Sequence, residues 1–181
     1  MNLQPTILKD CYIISPTIYS DSRGSFYEKF NERTFEQQTN LNGHFVQDNI
    51  SQSTYGVVRG LHLQKGGRAQ AKLVSCVEGK VFDVAVDLRR NSPTFGKWYG
   101  IELSAENKLQ LYLPRGFGHG FSVLSESAIF SYKCDNYYNK ESEGGVVWND
   151  PDLNIDWKLP LEDIILSDKD KILPTFAEGN F

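Results

Sequence analysis

Two histidines, a lysine and a tyrosine are the residues of this sequence best suited to proton chemistry. His62 is one of only three histidines, and imidazole is the one unperturbed side chain that titrates near neutral pH. Lys72 follows in the same segment, and His119 and Tyr132 come later in the chain. Such a set suits the removal and return of a proton rather than nucleophilic attack. The alternative is a strand edge with solvated polar side chains, the commoner meaning of a lone histidine.

The segment from Gly56 to Lys72 has the pattern of two β-strands joined at a pair of glycines, Gly66 and Gly67. A glycine pair between two β-patterned runs predicts that the chain folds back on itself. We therefore expect His62 and Lys72 to lie on paired strands. Lys72 also shares the parity of apolar residues further along its strand, which favours an inward position over a solvated one.

Arg59 precedes His62 in the first of these strands. In a regular strand the two side chains point to opposite faces, because successive residues alternate. Both can reach one ligand only if the strand bulges at Gly60 or if Arg59 lies at the strand mouth. An arginine in such a place is ordinarily a surface charge.

Short strands separated by turn signals fill the chain from Gly56 to Cys134, which predicts an all-β sandwich or barrel. Within it, Val74–Cys76 and Val81–Leu88 are predicted to form a hairpin with Gly79 in the turn. Residues 45–51 predict a further strand. Asn31 is a candidate cap for a helix of sequence NERTFEQQ, and a short helix or turn is expected at residues 167–170.

Length and composition indicate a single globular domain, residues 1–181, with 40% hydrophobic and 13% aromatic residues. The net charge of −4 disfavours nucleic acid as a partner but allows a small anionic ligand held by local Arg and Lys. Three cysteines without a CxxC pair suit a reducing compartment and disfavour disulfides or a thiolate zinc site. No signal peptide or membrane-spanning run is visible, so we expect a soluble, cytoplasmic protein.

The segment LPRGFGHGF, which contains His119, together with the upstream GLHLQ around His62, resembles the two motifs of the cupin barrel, a jelly roll. Metal-binding cupins usually supply a second histidine in the first motif, where this sequence has Gln64. Two imidazoles without a third ligand make a poor transition-metal site, and Glu78 lies in a predicted turn. We therefore predict no metal and no cofactor; a metal-dependent cupin oxygenase is the competing enzyme class.

The sequence also resembles the dTDP-4-dehydrorhamnose 3,5-epimerases of deoxysugar synthesis, almost from end to end. The resemblance rests on DSRGSFYE, FVQDNIS, GVVRGLHLQ, AQAKLV, GKVFDVAVDLRRNSPTFGKWYG, LPRGFGHGF, YKCDNYY, WNDPDLNIDW and LSDKD. It implies a homodimeric isomerase of dTDP-rhamnose biosynthesis, supplying lipopolysaccharide or cell-wall polysaccharide. Arg115 and Lys140 depart from the usual family pattern, which bears on fine specificity and not on the type of reaction.

The resemblance also implies roles for individual residues. His62 would be the base, Tyr132 the acid, Asp170 the carboxylate paired with His62, and Lys72 a catalytic residue close to the sugar. Tyr138 would stack on the thymine. The remaining residues implied to bind substrate are Arg23, Glu28, Gln47, Asn49, Arg59, His119, Glu143 and Lys169, with the N-terminal ones reaching the neighbouring subunit's site.

These residue types fit epimerisation next to a ketone. A histidine held by a carboxylate can remove the α-proton, an ammonium can stabilise the enolate, and a tyrosine on the other face can return a proton. Three alternatives stay open: inversion at C3 or C5 only, a nucleotide-sugar binding module without turnover, and Tyr132 as an ordinary core tyrosine. From the residues alone, Asp168 is as good a partner for His62 as Asp170.

Overall fold

Two antiparallel β-sheets face each other in the computed structural model, which describes residues 1–181. The strands are, in chain order, β1 (Asn2–Pro5), β2 (Tyr12–Ser15), β3 (Ile18–Asp21), β4 (Gly24–Tyr27), β5 (Gln47–Thr54), β6 (Val58–Gln64), β7 (Lys72–Glu78), β8 (Lys80–Asp87), β9 (Trp98–Ser104), β10 (Gln110–Leu113), β11 (Phe117–Val123), β12 (Ser127–Cys134) and β13 (Glu143–Gly145). The helices are α1 (Glu32–Thr39) and α2 (Asp168–Lys171), with single 3-10 turns at Gly66–Arg68, Lys140–Ser142 and Leu161–Asp163.

The two sheets form the two layers of the structure, with residues of both in the core between them. One sheet has six strands in the order β1-β2-β10-β7-β12-β5, and the other has five in the order β13-β6-β11-β8-β9. Strands β3 and β4 form a separate hairpin. The prediction of a cupin-type jelly-roll barrel with a few short helices is confirmed.

Three apolar clusters hold these layers together. The central one fills the space between the sheets and joins residues of both, such as Val74 of β7 and Ala85 of β8. The outer face of the five-stranded sheet is covered by the C-terminal segment, where Trp157 packs with the apolar residues of β8. Helix α1 covers part of the six-stranded sheet by placing Phe35 against Tyr112, ring centroids 4.8 Å apart. Strand β8 is thus buried on both faces.

Two predicted hairpins are wrong, and both errors have the same cause. Strands β6 and β7 do not pair after the glycines at 66 and 67, because β6 belongs to the five-stranded sheet and β7 to the six-stranded sheet. Strands β7 and β8 likewise lie in different sheets, although Gly79 does mark the turn. Alternation along a strand indicates which side chains share a face, but not which sheet the next strand joins.

Gly79 lies in the turn where the chain passes from β7 in one sheet to β8 in the other. Its replacement is expected to lower the free energy of unfolding. Its φ is +75°, and a Cβ there would lie 2.0 Å from the Ser127 carbonyl oxygen. Gly66 is a matched control with φ +59° and nothing within 4 Å of its Cβ position. We expect Gly66→Ala to cost about 1 kcal/mol of unfolding free energy from the left-handed conformation alone. Gly79→Ala should cost at least about 2 kcal/mol more, because the backbone must move. Urea unfolding of both variants measures this, and equal costs would contradict it.

Both helices begin at the residues that the sequence indicates. The Asn31 side chain accepts a hydrogen bond from the Thr34 amide at 3.1 Å and so caps α1. Ser167 caps α2 by accepting from the Asp170 amide at 3.2 Å. Neither helix is both long and apolar enough to cross a membrane. The cap at Ser167 matters for function because it fixes the position of Asp170.

Candidate active site

A cavity of about 280 Å³ lies where strands of both sheets meet the C-terminal segment. Its polar lining comes from the five-stranded sheet on one side and from the six-stranded sheet on the other. The residues that line it are Gln47, Asn49, His62, Leu63, Gln64, Gln70, Lys72, Tyr132, Tyr138, Glu143, Gly144 and Lys169. Four other surface cavities are larger; none of them is lined by a histidine, and only the one beside Arg89 and Ser92 is lined by a lysine, Lys9.

His62 is held in the cavity wall by a buried carboxylate. Its Nε2 donates a hydrogen bond to Oδ1 of Asp170, while the Ser167 hydroxyl donates to Oδ2 at 2.8 Å. Burial raises the pKa of Asp170, but the hydrogen bond and charge of His62, with the Ser167 hydroxyl, outweigh it and lower that pKa below its ordinary value. Asp168 is exposed and pairs with Lys171. Of the two aspartates that the sequence left open, it is therefore Asp170 that contacts His62.

Tyr132 and Lys72 enter the same cavity from the opposite sheet. Burial raises the pKa of Tyr132, so its hydroxyl is protonated near neutral pH and can donate a proton. Burial lowers the pKa of Lys72, while negative charge on Cys134 or on Asp83 raises it. The effect of burial is the larger one, so the pKa of Lys72 lies below its ordinary value, and burial also raises the pKa of the Cys134 thiol to about 11.

Of the two arrangements that would let Arg59 and His62 reach one ligand, β6 has the bulge at Gly60. Along β11, His119 pairs with His62 and Phe121 pairs with Arg59, so two residues of β6, Gly60 and Leu61, lie opposite the single residue Gly120 of β11. Arg59 and His62 consequently face the same side of the sheet. Arg59 is exposed, donates to the Ser53 hydroxyl at 3.2 Å, and lies near enough to oppose the rise in the pKa of Tyr132. It therefore lies beside the cavity without lining it.

His119 is the cross-strand neighbour of His62 but does not line the cavity. Its ring is 8% exposed, lies 5.9 Å from the Phe130 ring, and bonds Asp83 at 2.8 Å through Nε2. Asp83 is completely buried, and its Oδ1 has no hydrogen-bond partner. Contact of His119 with a sugar, which the resemblance implies, stays a prediction.

Arg23 and Glu28 lie outside the cavity of their own chain. Arg23 is in the turn of the β3–β4 hairpin and pairs with Asp21 at 2.6 Å. Glu28 follows the hairpin and accepts a hydrogen bond from Asn31 at 3.1 Å. Both are exposed. If they bind the ligand of any cavity, it is that of another subunit.

An ion pair lies at the edge of the cavity. Lys169 Nζ is 2.5 Å from Glu143 Oε2, which joins α2 to β13 beside His62. Tyr138 stands next to this pair and is half exposed, at 53%. An exposed aromatic ring beside paired charges is a suitable surface for a planar, charged ligand.

The residues present do not form a metal-binding set. The position of the second cupin histidine is Gln64, whose Oε1 accepts from the Asn139 amide at 3.0 Å. His62 and His119 each bond a different carboxylate, and no three His, Cys, Asp or Glu side chains converge. Independence from metal stays a prediction, and this arrangement of donors supports it.

Sequence reasoning found most of the lining but gave no role to several residues. Gln64 was part of the central segment yet was not assigned to the site, and Leu63, Gln70 and Gly144 were missed. A signal for Gln70 was available, because it has the same parity as Lys72 and precedes it by one alternation of the strand. Leu63 and Gly144 carry no chemical signal.

A jelly-roll barrel whose cavity holds a carboxylate-bound histidine, a half-buried lysine and a protonated tyrosine defines a proton-transferring isomerase of the cupin type. The family model described as dTDP-4-dehydrorhamnose 3,5-epimerase matches residues 5–178 of the chain. The chain belongs to this family.

Individual relatives agree along the whole length. The dTDP-4-dehydrorhamnose 3,5-epimerase of Shigella flexneri is 54% identical over 181 residues, covering 100% of this chain and 99% of its own. The crystal structure of the enzyme from Elizabethkingia anophelis is 71% identical with a TM-score of 0.98, covering 100% of this chain and 99% of the other. A dTDP-6-deoxy-D-glucose-3,5-epimerase from Legionella pneumophila, solved with dTDP-4-keto-L-rhamnose, is 49% identical with a TM-score of 0.94, covering 99% of this chain and 94% of its own.

Proposed function

We propose that this enzyme epimerises dTDP-4-dehydro-6-deoxy-D-glucose at C3 and C5 to dTDP-4-dehydro-L-rhamnose, with no cofactor. The observation that carries the proposal is that His62, bonded to Asp170, and Tyr132 line one cavity from opposite sheets. A base and an acid on opposite sides of a sugar ring produce inversion. A single group would tend to return the proton to the face from which it came.

His62 removes the proton. With its Nε2–H donated to Asp170, the other ring nitrogen, Nδ1, carries the free lone pair. Asp170 keeps the imidazole in this tautomer and stabilises the imidazolium that forms when the proton arrives. The lowered pKa of Asp170 keeps it ionised throughout, so the proton stays on His62. Asp170 therefore acts through His62 and does not compete for the proton.

Lys72 and Tyr132 complete the reaction. Loss of an α-proton places negative charge on the C4 oxygen, and the Lys72 ammonium in the same cavity stabilises it. Tyr132 then gives its hydroxyl proton to the opposite face of the carbon. Solvent afterwards takes the removed proton from the His62 imidazolium and returns one to the Tyr132 phenolate. Because C3 and C5 flank the same ketone, one ammonium serves both inversions if the ring shifts between them.

The remaining polar groups bind the nucleotide. Arg59 and Lys169 offer positive charge for the diphosphate, and arginine suits phosphate because it can donate two parallel hydrogen bonds. Tyr138 offers an exposed ring for the thymine. Asn49 and Glu143 line the cavity and are proposed to contact the sugar.

Tyr132→Phe separates proton removal from proton return. The variant keeps His62 and Lys72, so we expect it to exchange the substrate's α-protons with deuterated water at a rate within about tenfold of wild type. Inversion should fall by about 10²-fold or more, because the donor on the opposite face is gone. NMR of substrate and product in deuterated water measures both rates. Inversion at the wild-type rate would instead make Tyr132 an ordinary core tyrosine.

We also propose a homodimer in which the β3–β4 hairpin of one chain completes the site of the other with Arg23 and Glu28. Two features support this. The hairpin pairs with neither sheet, and it exposes apolar side chains, Tyr19 at 64% and Phe26 at 71%. Apolar side chains clustered on an isolated hairpin indicate a surface that another chain covers.

Mixing two inactive variants tests this arrangement. His62→Ala disables the barrel of its own chain, whereas Arg23→Ala disables the hairpin that reaches the neighbour. A mixed dimer then has one intact site, so co-refolding equal amounts should restore about a quarter of wild-type activity, since about half of random pairs are mixed. Mixing His62→Ala with Lys72→Met, both in the barrel, is the control and should restore none. Absence of rescue in the first mixture, or sedimentation as a monomer, would contradict the shared site.

We further place the enzyme in the cytoplasm as a single domain spanning residues 1–181. The three cysteines are free and buried, which suits a reducing compartment. The C-terminal segment packs on the barrel through Trp157 and Leu153, so this segment and the barrel form one apolar core.

A further inference from the structure

The segment 136–139, which carries Tyr138, is held by side-chain amides. The Gln47 side chain accepts a hydrogen bond from the Tyr138 amide at 3.0 Å. The Gln64 side chain accepts from the Asn139 amide at 3.0 Å. The Gln70 side chain donates to the carbonyl of Asn136 at 2.7 Å. Three glutamines thus hold three residues of one loop, Asn136, Tyr138 and Asn139.

These glutamines reach the loop from different parts of the barrel. Gln47 begins β5, Gln64 ends β6 in the other sheet, and Gln70 precedes β7. Gln64 is 6% exposed and Gln70 is 8% exposed, and both line the cavity. A buried amide is costly unless it is hydrogen-bonded, so each of these bonds resists being broken. The loop is consequently fixed relative to both walls of the cavity.

We propose that Gln64 and Gln70 are positioning residues that hold segment 136–139, and through it the ring of Tyr138, ready for the base of the nucleotide. The inference rests on the proposed function, in which Tyr138 stacks on that base. A loop already fixed in its binding conformation loses less conformational freedom when the ligand arrives. Gln47 is a third support of the same segment, because its Oε1 is occupied by the Tyr138 amide and its Nε2 donates to Asn49.

The first test is the split between binding and turnover. In Gln64→Leu and Gln70→Leu, we expect the Kd of dTDP and the KM of the substrate to rise about tenfold, because the loop loses a support. The value of kcat should stay within about twofold, since neither residue bonds His62, Lys72 or Tyr132. Calorimetric titration with dTDP and steady-state kinetics measure the two quantities. An unchanged Kd, or a kcat that falls as much as KM rises, would overturn the inference.

Conservative variants give a readout that a general loss of packing does not produce. At pH 8, Gln64→Glu keeps an oxygen acceptor for the Asn139 amide and should retain dTDP affinity within about threefold of wild type. Gln70→Glu replaces the donor by a carboxylate facing the carbonyl of Asn136 and should bind as weakly as Gln70→Leu. Both variants add the same charge to the same cavity, so only the direction of the hydrogen bond differs. Equal dTDP affinities of Gln64→Glu and Gln70→Glu would overturn the inference. This test does not depend on whether the leucine variants fold.

A double-mutant cycle separates this inference from the proposed function. Tyr138→Ala should weaken dTDP binding, and in that background Gln64→Leu should weaken it by less than about twofold more, because the ring it positions is absent. If Tyr138→Ala leaves the dTDP affinity unchanged, the stacking role fails and the positioning role fails with it. If Gln64→Leu weakens binding equally with and without Tyr138, only the positioning role is overturned.

Discussion

Replacing His62 by alanine is expected to lower kcat by about 10²–10⁴-fold, the usual contribution of a positioned general base. The loss should appear equally in deuterium exchange at C3 and at C5, because the proposed mechanism assigns both proton removals to His62. Affinity for dTDP should stay near the wild-type value, since the proposed nucleotide contacts, Arg59, Lys169 and Tyr138, are unchanged. Steady-state kinetics, exchange measured by NMR and calorimetric titration with dTDP test these three statements.

His44→Ala is the matched control for this variant. His44 is an exposed histidine whose ring pairs with Glu32 at 3.4 Å and which does not line the cavity, so its loss should leave turnover unchanged. The turnover of Asp170→Asn should lie between that of His62→Ala and that of His44→Ala, because the imidazole stays in place while its preferred tautomer changes. If His62→Ala turns over within tenfold of wild type, His62 is not the base. If the protein binds dTDP but wild type has no turnover at all, the binding module is the correct alternative.

Replacing Lys72 by methionine is the second change with a large expected effect. The two side chains have similar length, so the variant removes the ammonium and little packing. We expect kcat to fall by about 10²–10³-fold, the size of effect seen when a group that stabilises an oxyanion is removed. Exchange of the α-protons should slow by the same factor, because the enolate itself becomes harder to form.

Lys133→Met provides the control for charge. Lys133 lies on β12 next to Tyr132 but pairs with Asp48 at 2.9 Å outside the cavity, so its loss should change kcat by less than about twofold. Exchange at the wild-type rate in Lys72→Met, with inversion alone impaired, would mean that Lys72 positions the sugar and does not stabilise the enolate.

Local signals in the sequence predicted the elements and their faces well. The caps at Asn31 and Ser167 set both helices, and the alternation of β8 separated Val84 and Val86, which pack outward, from Ala85, which packs inward. The pairing of strands was not predictable in the same way. Turn residues such as Gly79 fit a hairpin and a crossing between sheets equally well, so only the whole assembly of strands decides between them.

In the site, too, local features were predicted from the sequence and the pairing of distant segments was not. His62 and Lys72 were correctly grouped, but they meet from opposite sheets and not on paired strands. Asp170 is far from His62 in sequence, and no periodicity joins them; the structure brings them together through the Ser167 cap. The bulge at Gly60 was predicted as one of two ways for Arg59 and His62 to reach one ligand, the other being Arg59 at the strand mouth. The hydrogen bond from Gln70 to the loop that carries Tyr138 was not predicted, because a bond to loop backbone leaves no pattern in the sequence.

Incubating the wild-type enzyme with dTDP-4-dehydro-6-deoxy-D-glucose in deuterated water, and following C3 and C5 by NMR, tests the double inversion most directly. Removal of each proton by His62 and its return from the opposite face by Tyr132 must introduce a solvent-derived deuterium wherever inversion occurs. We predict deuterium at both carbons of a product with the L-rhamno configuration, and none at either carbon in His62→Ala. Deuterium and inversion at one carbon alone would make the protein a mono-epimerase, and inversion without deuterium would contradict an enolate in exchange with solvent.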